Sequence, residues 1–106
     1  MWKVTALNET VAAEIDALSD DLLARLRRIG ALIQDYGLER VHEPHVKHVE
    51  GRLWEIRLIG KDGIARALYV TASGKRVVII RVFVKKTQKT PRSEIELALK
   101  RAEEVI

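Results

Sequence analysis

The spacing of apolar side chains divides the chain into segments of two kinds. Residues 1–7, MWKVTAL, set Trp2, Val4 and Ala6 against Lys3 and Thr5, the period of two that predicts a strand. Val11, Ile15 and Leu18 then recur at i, i+4 and i+7, a helical stripe. Asn8 stands where its side-chain oxygen can cap that helix. Ser19 ends the stripe and can cap a second helix, with Asp20 and Asp21 at its positive N-terminal end. In this helix Leu22, Leu26, Ile29 and Ile33 form one face, and Arg25, Arg27 and Arg28 fall mostly on a solvated outer side. Gly30 costs roughly 1 kcal/mol against alanine in a helix interior, which predicts close packing there, and Gly37 suits a C-cap.

Residues 38–52 show no clear period and read as a loop or a short irregular strand, punctuated by Pro44 and Gly51. Three strands follow. Residues 53–59 alternate Trp54, Ile56 and Leu58 against Glu55 and Arg57; residues 64–72 carry Arg66 among apolar neighbours; residues 77–84 have valine and isoleucine on both parities, as a well-covered strand requires. Asp62-Gly63 marks a hairpin turn and Ser73-Gly74-Lys75 a second one, so the three strands form an antiparallel meander. Thr90 can cap a last helix with Pro91 at its first position, and Ile95, Ala98, Leu99, Ala102 and Ile106 recur at helical spacing. The expected order is β-α-α-β-β-β-α, an α+β fold with an N-terminal strand and helical hairpin, an antiparallel meander and a C-terminal helix.

Length and composition narrow the class. With 106 residues, 47% hydrophobic and 32% charged, residues 1–106 read as one soluble globular domain. The chain has no cysteine, which removes disulfides and thiolate metal sites and fits a reducing cytoplasm. No apolar run nears the roughly 20 residues of a membrane span, and the N-terminus lacks a signal-peptide pattern. His42, His45 and His48 are spaced i, i+3, i+6 and diverge on a helix, so no metal is expected, and no cofactor motif is present.

Charge changes the picture more. The net charge is +4, but residues 1–40 hold seven acidic groups against five basic ones, whereas residues 75–92 hold seven basic groups and no acidic one. That asymmetry points to an anionic partner, above all nucleic acid. If Trp54, Ile56 and Leu58 face the helices, then Glu55 and Arg57 point to the open sheet face, with Arg66 on the neighbouring strand. Arg57, Arg66, Lys85 and Lys86 converging there would cradle a phosphodiester, the arginines as planar forks and the lysines as point charges. Gathered cations lower one another's proton affinity, so a lysine among them becomes an acid or base near neutral pH.

The segments LWEIRL, GIARALY and VFVKKTQKTP, the last followed closely by EI, resemble the HigB-like, phage-derived branch of the RelE/ParE toxin superfamily. The resemblance covers residues 47–102 closely and the helical hairpin in outline. It implies a RelE-like fold and the toxin of a type II toxin–antitoxin pair. It further implies a ribosome-dependent mRNA endonuclease that works without a metal, activating the ribose 2′-hydroxyl against the adjacent phosphate in the ribosomal A site. The matched positions imply that Arg57 is a basic residue of the sheet face and Arg66 a phosphate clamp. They imply that Lys85 and Lys86 stabilise the transition state or leaving group, with Tyr69 mainly structural. Lys47, Arg81, Lys89 and Arg92 are the expected RNA contacts around them. Glu55 stands where some members carry lysine, which implies either a general base or weaker mRNA chemistry. Where related chains read Leu-His-x-Phe, this one has Arg81-Val82-Phe83, so the histidine some members use is missing. The resemblance also implies a cognate antitoxin, typically a helix-turn-helix protein, and no membrane partner. Two other readings fit the same charge: a ParE-like inhibitor of DNA gyrase, and a non-enzymatic nucleic-acid-binding module.

Overall fold

The computed structural model of the chain describes residues 1–106 except Glu43, Asp62, 86–88 and Ile106. A five-stranded sheet forms its middle layer. In chain order the elements are β1 (Lys3–Ala6), α1 (Glu9–Asp16), α2 (Asp20–Tyr36), a 3-10 turn (Leu38–Arg40), β2 (Val46–Glu50), β3 (Leu53–Gly60), β4 (Gly63–Ala72), β5 (Arg76–Lys85) and α3 (Arg92–Ala102). The strand order is β1-β5-β4-β3-β2, with β2 to β5 antiparallel and β1 parallel to β5. The α+β class is as the periodicity predicts. One strand is added to it: residues 46–50, lacking an apolar period, pair with β3 as an edge strand. The meander therefore has four strands.

Helix starts follow the local chemistry closely. Asn8 Oδ1 accepts from the Val11 amide at 3.0 Å, and Ser19 Oγ accepts from the Leu22 amide at 3.3 Å. Gly37, at φ 93°, ends α2 and donates its N–H to the Ile33 carbonyl. Replacing Ser19 with alanine is expected to lower stability by about 1 kcal/mol, measured as a shift of the urea midpoint at unchanged slope. One expectation fails. No atom lies near enough to Gly30 for its missing side chain to matter, so no close packing explains it. The close approach is at Gly60 instead, where a Cβ would collide with the Asp21 and Leu22 side chains. There Asp21 accepts from the Lys61 amide at 2.5 Å and ties the β3–β4 hairpin to the start of α2.

The sheet is covered on both faces. Val11, Leu22, Leu26, Ile29 and Ile33 of the helical hairpin pack on Ile56, Leu58, Ala65, Ala67, Tyr69, Val77, Ile79 and Val82. On the opposite face Ala98 and Ala102 of α3, with Val105, pack on Leu53, Leu68, Val70, Val78 and Ile80. A bulge in β5 allows this. Leu68 pairs with Arg81 and Tyr69 with Ile79, leaving Ile80 as an extra residue. Side-chain parity switches there, so Ile79 and Val82 share one face, while Ile80 joins the other core.

The face opposite the helical hairpin is thus only partly open. The α3 layer covers the part of this face around Leu68, Val70, Val78 and Ile80 and leaves Arg57 and Lys85 half-buried, while Arg66 is buried.

Candidate functional site

Strand register sets the site. Lys47 on β2 stands opposite Glu55 on β3, and Glu55 opposite Leu68 on β4. One row along, Arg57 faces Arg66, and Arg66 faces Phe83 on β5; a further row pairs Ile64 with Lys85. Alternation puts Lys47, Glu55, Arg57, Arg66 and Lys85 on the face away from the helical hairpin. The charges respond to one another. Partial burial first, then the positive charges of Arg66, Arg57 and Lys47, push the Lys85 ammonium below the usual lysine value. The sheet therefore does gather these four cations around one place.

Glu55 is the centre of the arrangement, and it is not on an open surface. Its side chain and that of Arg66 are both about 95% buried and form an ion pair. The other carboxylate oxygen, Oε1, accepts from the Thr90 hydroxyl at 2.9 Å, and Arg57 Nε lies 3.6 Å from the oxygen paired with Arg66. Thr90 is therefore not the cap of α3. Pro91 occupies the cap position without a side-chain hydrogen bond, and Thr90 instead pins the turn after β5 to the buried carboxylate. With Arg66, Arg57 and Thr90 around it, Glu55 is placed as a buried counter-ion to the two arginines. Desolvation holds the Arg66 guanidinium below the usual arginine value, and its Nε has no hydrogen-bond partner among the described residues. Lys86 lies outside the described residues.

Two of the expected RNA contacts are engaged within the fold instead. Arg81 Nε and Nη2 donate to the two Glu94 oxygens at 2.7 and 3.0 Å, and Nη1 lies 2.9 Å from Glu14. Its guanidinium carbon also sits 5.9 Å from the centre of the Phe83 ring. The bonds to Glu94 and Glu14 raise its pKa above the usual arginine value despite its burial. Arg92 makes a bidentate pair with Glu50 of β2 at 2.6 and 3.2 Å, tying the start of α3 to the edge strand. Lys89 is exposed, in the turn before Thr90.

Sequence reasoning missed what makes Arg81 structural. Beyond Ile79, β5 has lost β1 as a neighbour, and its edge would be bare. Glu14 of α1 accepts there from the Val82 amide at 3.0 Å, and Arg101 of α3 donates to the Ile80 carbonyl at 2.9 Å and to Glu14. Glu14, Arg81, Glu94 and Arg101 thus lock α1 and α3 together across the edge of β5. The available signal was the single charge inside the apolar run 77–84, which needed a partner.

Another cavity borders this cluster at Lys47. It measures about 740 Å³, on the helical-hairpin side, walled by Leu38, Val41, Val46, Trp54 and Tyr69. His48 meets the Trp54 ring edge-on at 5.0 Å and makes a 2.7 Å hydrogen bond with the Gly51 carbonyl oxygen. Among the described residues no group of histidines and carboxylates is arranged to hold a metal ion, and no helix is long and apolar enough to cross a membrane.

No curated protein matches the chain. A match to a protein family spans residues 13–103, from α1 through the end of α3, and so takes in the buried Glu55–Arg66 pair, the cationic cluster and the Glu14 lock. The chain belongs to the family of phage-derived Gp49-like proteins (DUF891).

Proposed function

We propose that the chain is the toxin of a type II toxin–antitoxin pair and acts as an endoribonuclease on mRNA held by the ribosome. The observation that carries this reading is the convergence of Lys47, Arg57, Arg66 and Lys85 on one end of a sheet face, with the Lys85 pKa lowered by burial first and then by the neighbouring positive charges. Membership of a phage-derived family and the resemblance of the KKTQKTP turn to HigB-like toxins support it.

In this reading Arg57 holds the non-bridging oxygens of the scissile phosphate, where charge develops, and Arg66, buried against Glu55, adds its positive charge. Glu55 keeps both forks in place and does not take a proton. The ribose 2′-oxygen forms a bond to phosphorus and loses its proton to solvent. The bond to the 5′-oxygen breaks, and Lys85 gives that oxygen its proton. Lys86, next in the sequence, adds a second positive charge. The acid role sets the pH dependence: cleavage falls as pH rises through a Lys85 pKa lower than that of an ordinary lysine. A helix-turn-helix antitoxin is the expected partner, and the cytoplasm the expected compartment.

The test is induction of the chain in cells with mapping of mRNA 5′ ends. Cuts within reading frames are expected, and Lys85→Ala should reduce their rate by roughly 10²- to 10⁴-fold, the usual contribution of a positioned acid. Intact mRNA with gyrase-linked DNA breaks would replace this reading by a ParE-like one. RNA binding without cleavage under any ribosome condition would leave a non-enzymatic module.

A further inference from the structure

We propose that the groove between α2 and the free edge of β3 is a second phosphate subsite, taking the sugar-phosphate of a nucleotide next to the one held at Arg57 and Lys85. The proposal rests on the reading of the cationic cluster as an RNA site and extends it to the α2 arginines, to which the resemblance assigned no role.

The groove exists because β2 is shorter than β3. The β2–β3 pairing ends at Val46 and Ile56, and the last bond between the two segments runs from the Arg57 amide to the His45 carbonyl at 2.8 Å. Past that point the chain before β2 turns away, and residues 58–60 of β3 have no strand beside them on that side. A cavity of about 270 Å³ opens there. Arg57 and Ile59 form one wall, Pro44 and His45 a second, and Arg25 and Arg28 of α2 a third.

The arginines of α2 are not simply a solvated outer face. Arg25, Arg28, Ile29 and Leu32 are spaced i, i+3, i+4, i+7, one stripe of the helix, and all four line the groove. Arg28 makes no ion pair among the described residues, and Arg25 has only a loose one, 3.9 Å from Asp21. Three guanidinium groups and a histidine therefore surround one small cleft, and guanidinium is the side chain best matched to phosphate oxygens. The remaining walls are apolar, from Ile29, Leu32, Pro44 and the 62% exposed Ile59, and suit a ribose or the face of a base.

One residue ties the groove to the proposed RNA site. Arg57 belongs to this groove and to the cluster around Lys85 at once. An anion that runs through both places carries charges at successive positions along a continuous backbone, as phosphodiesters do.

The experiment is a fluorescence anisotropy titration of the full chain with a short single-stranded RNA whose riboses are 2′-O-methylated, which blocks cleavage, over a range of salt concentrations. The log–log dependence of affinity on salt should lose roughly 0.7 in slope for each phosphate contact removed. Arg28→Ala is expected to show that loss. Arg27→Ala, the same change of charge at an exposed position outside the groove, is expected to keep the wild-type slope. Equal slopes for the two variants overturn the subsite, as does wild-type protein that binds no RNA. A variant with RNA binding intact but weaker capture of a polyglutamate peptide overturns it in favour of protein docking. The two proposals fail separately: mRNA cleavage in cells without an Arg28 effect on the slope removes only the subsite, and an Arg28 effect without cleavage removes only the nuclease.

Discussion

Replacing Arg66 by alanine is expected to destabilise the fold by roughly 3–5 kcal/mol, because it leaves the Glu55 carboxylate buried without its counter-ion. Both side chains are almost wholly withdrawn from water, and the Thr90 hydroxyl and the more distant Arg57 cannot replace a guanidinium in direct contact. Loss of function in the single variant would therefore confound unfolding with lost chemistry. The pair separates them. Replacing both partners together, Glu55→Leu with Arg66→Met, removes two buried charges at once and is expected to recover most of the stability, since apolar side chains of similar volume often substitute for a buried ion pair at little cost. The double variant should fold, as read by a single cooperative urea transition, and should still fail to cut mRNA. A folded double variant that arrests translation like the wild type would remove Arg66 and Glu55 from the site.

Glu14 carries the second large effect. Glu14→Gln keeps the shape of the side chain and removes its charge, so Arg81 and Arg101 lose a shared counter-ion and the Val82 amide a strong acceptor. Hydrogen bonds to a charged group contribute about 1.5–3 kcal/mol each in favourable cases. Glu14 is partly exposed and its bonds are shared, so a total of about 2–3 kcal/mol at neutral pH is expected. The pH dependence has a definite sign. Burial alone would raise the Glu14 pKa, but the Val82 amide, Arg101 and Arg81 outweigh it and hold the carboxyl below its ordinary value of 4.5. A depressed carboxyl pKa stabilises the fold at pH above the unfolded value, and that contribution is lost as pH falls through the folded one. The stability gap between wild type and Glu14→Gln should therefore be full at pH 7 and close progressively as the solution is acidified below about 4.5. Urea titrations at several pH values read it directly; a gap that stays constant into acid would show that Glu14 stabilises the fold by shape and not by charge.

Glu55 lies on the same sheet face as the proposed RNA surface, and Glu14 lies at the β5 edge where α1 and α3 meet. Glu55 joins Arg57, Arg66 and the Thr90 turn, and Glu14 joins α1, β5 and α3. Each acid fixes cations or backbone that would otherwise repel or fray. In the proposed reading the buried Glu55 carboxylate preorganises the arginines, so that RNA binding does not have to order them at the moment of contact.

Much of the molecule was decided locally. Asn8 and Ser19 start the two helices, Gly37 ends the second, and the apolar stripes at 22, 26, 29 and 33 and at 98 and 102 point inward. Alternation along residues 53–59 and 64–72 placed Glu55, Arg57 and Arg66 on one face. These features follow from backbone capping and from the periods of helix and strand, which act over a few residues and so can be read from sequence alone.

Other features needed the third dimension. Strand β2 has no apolar period because its pattern of burial comes from a neighbour and not from its own alternation. The bulge at Ile80 moves the parity of β5 by one, and only pairing with β4 reveals it. Whether Glu55 was a base on an open face or a buried counter-ion depended on where Thr90, Arg57 and Arg66 came to lie. Whether Arg81 met RNA or Glu14 and Glu94 depended on β1 stopping at Ala6 and leaving the β5 edge for α1 and α3 to close. A charge can be recognised in a sequence by its residue type. Its role depends on the partners within a few ångströms, and those come from elements 13 to 87 residues away, as the Arg81–Glu94 and Glu14–Arg101 contacts show.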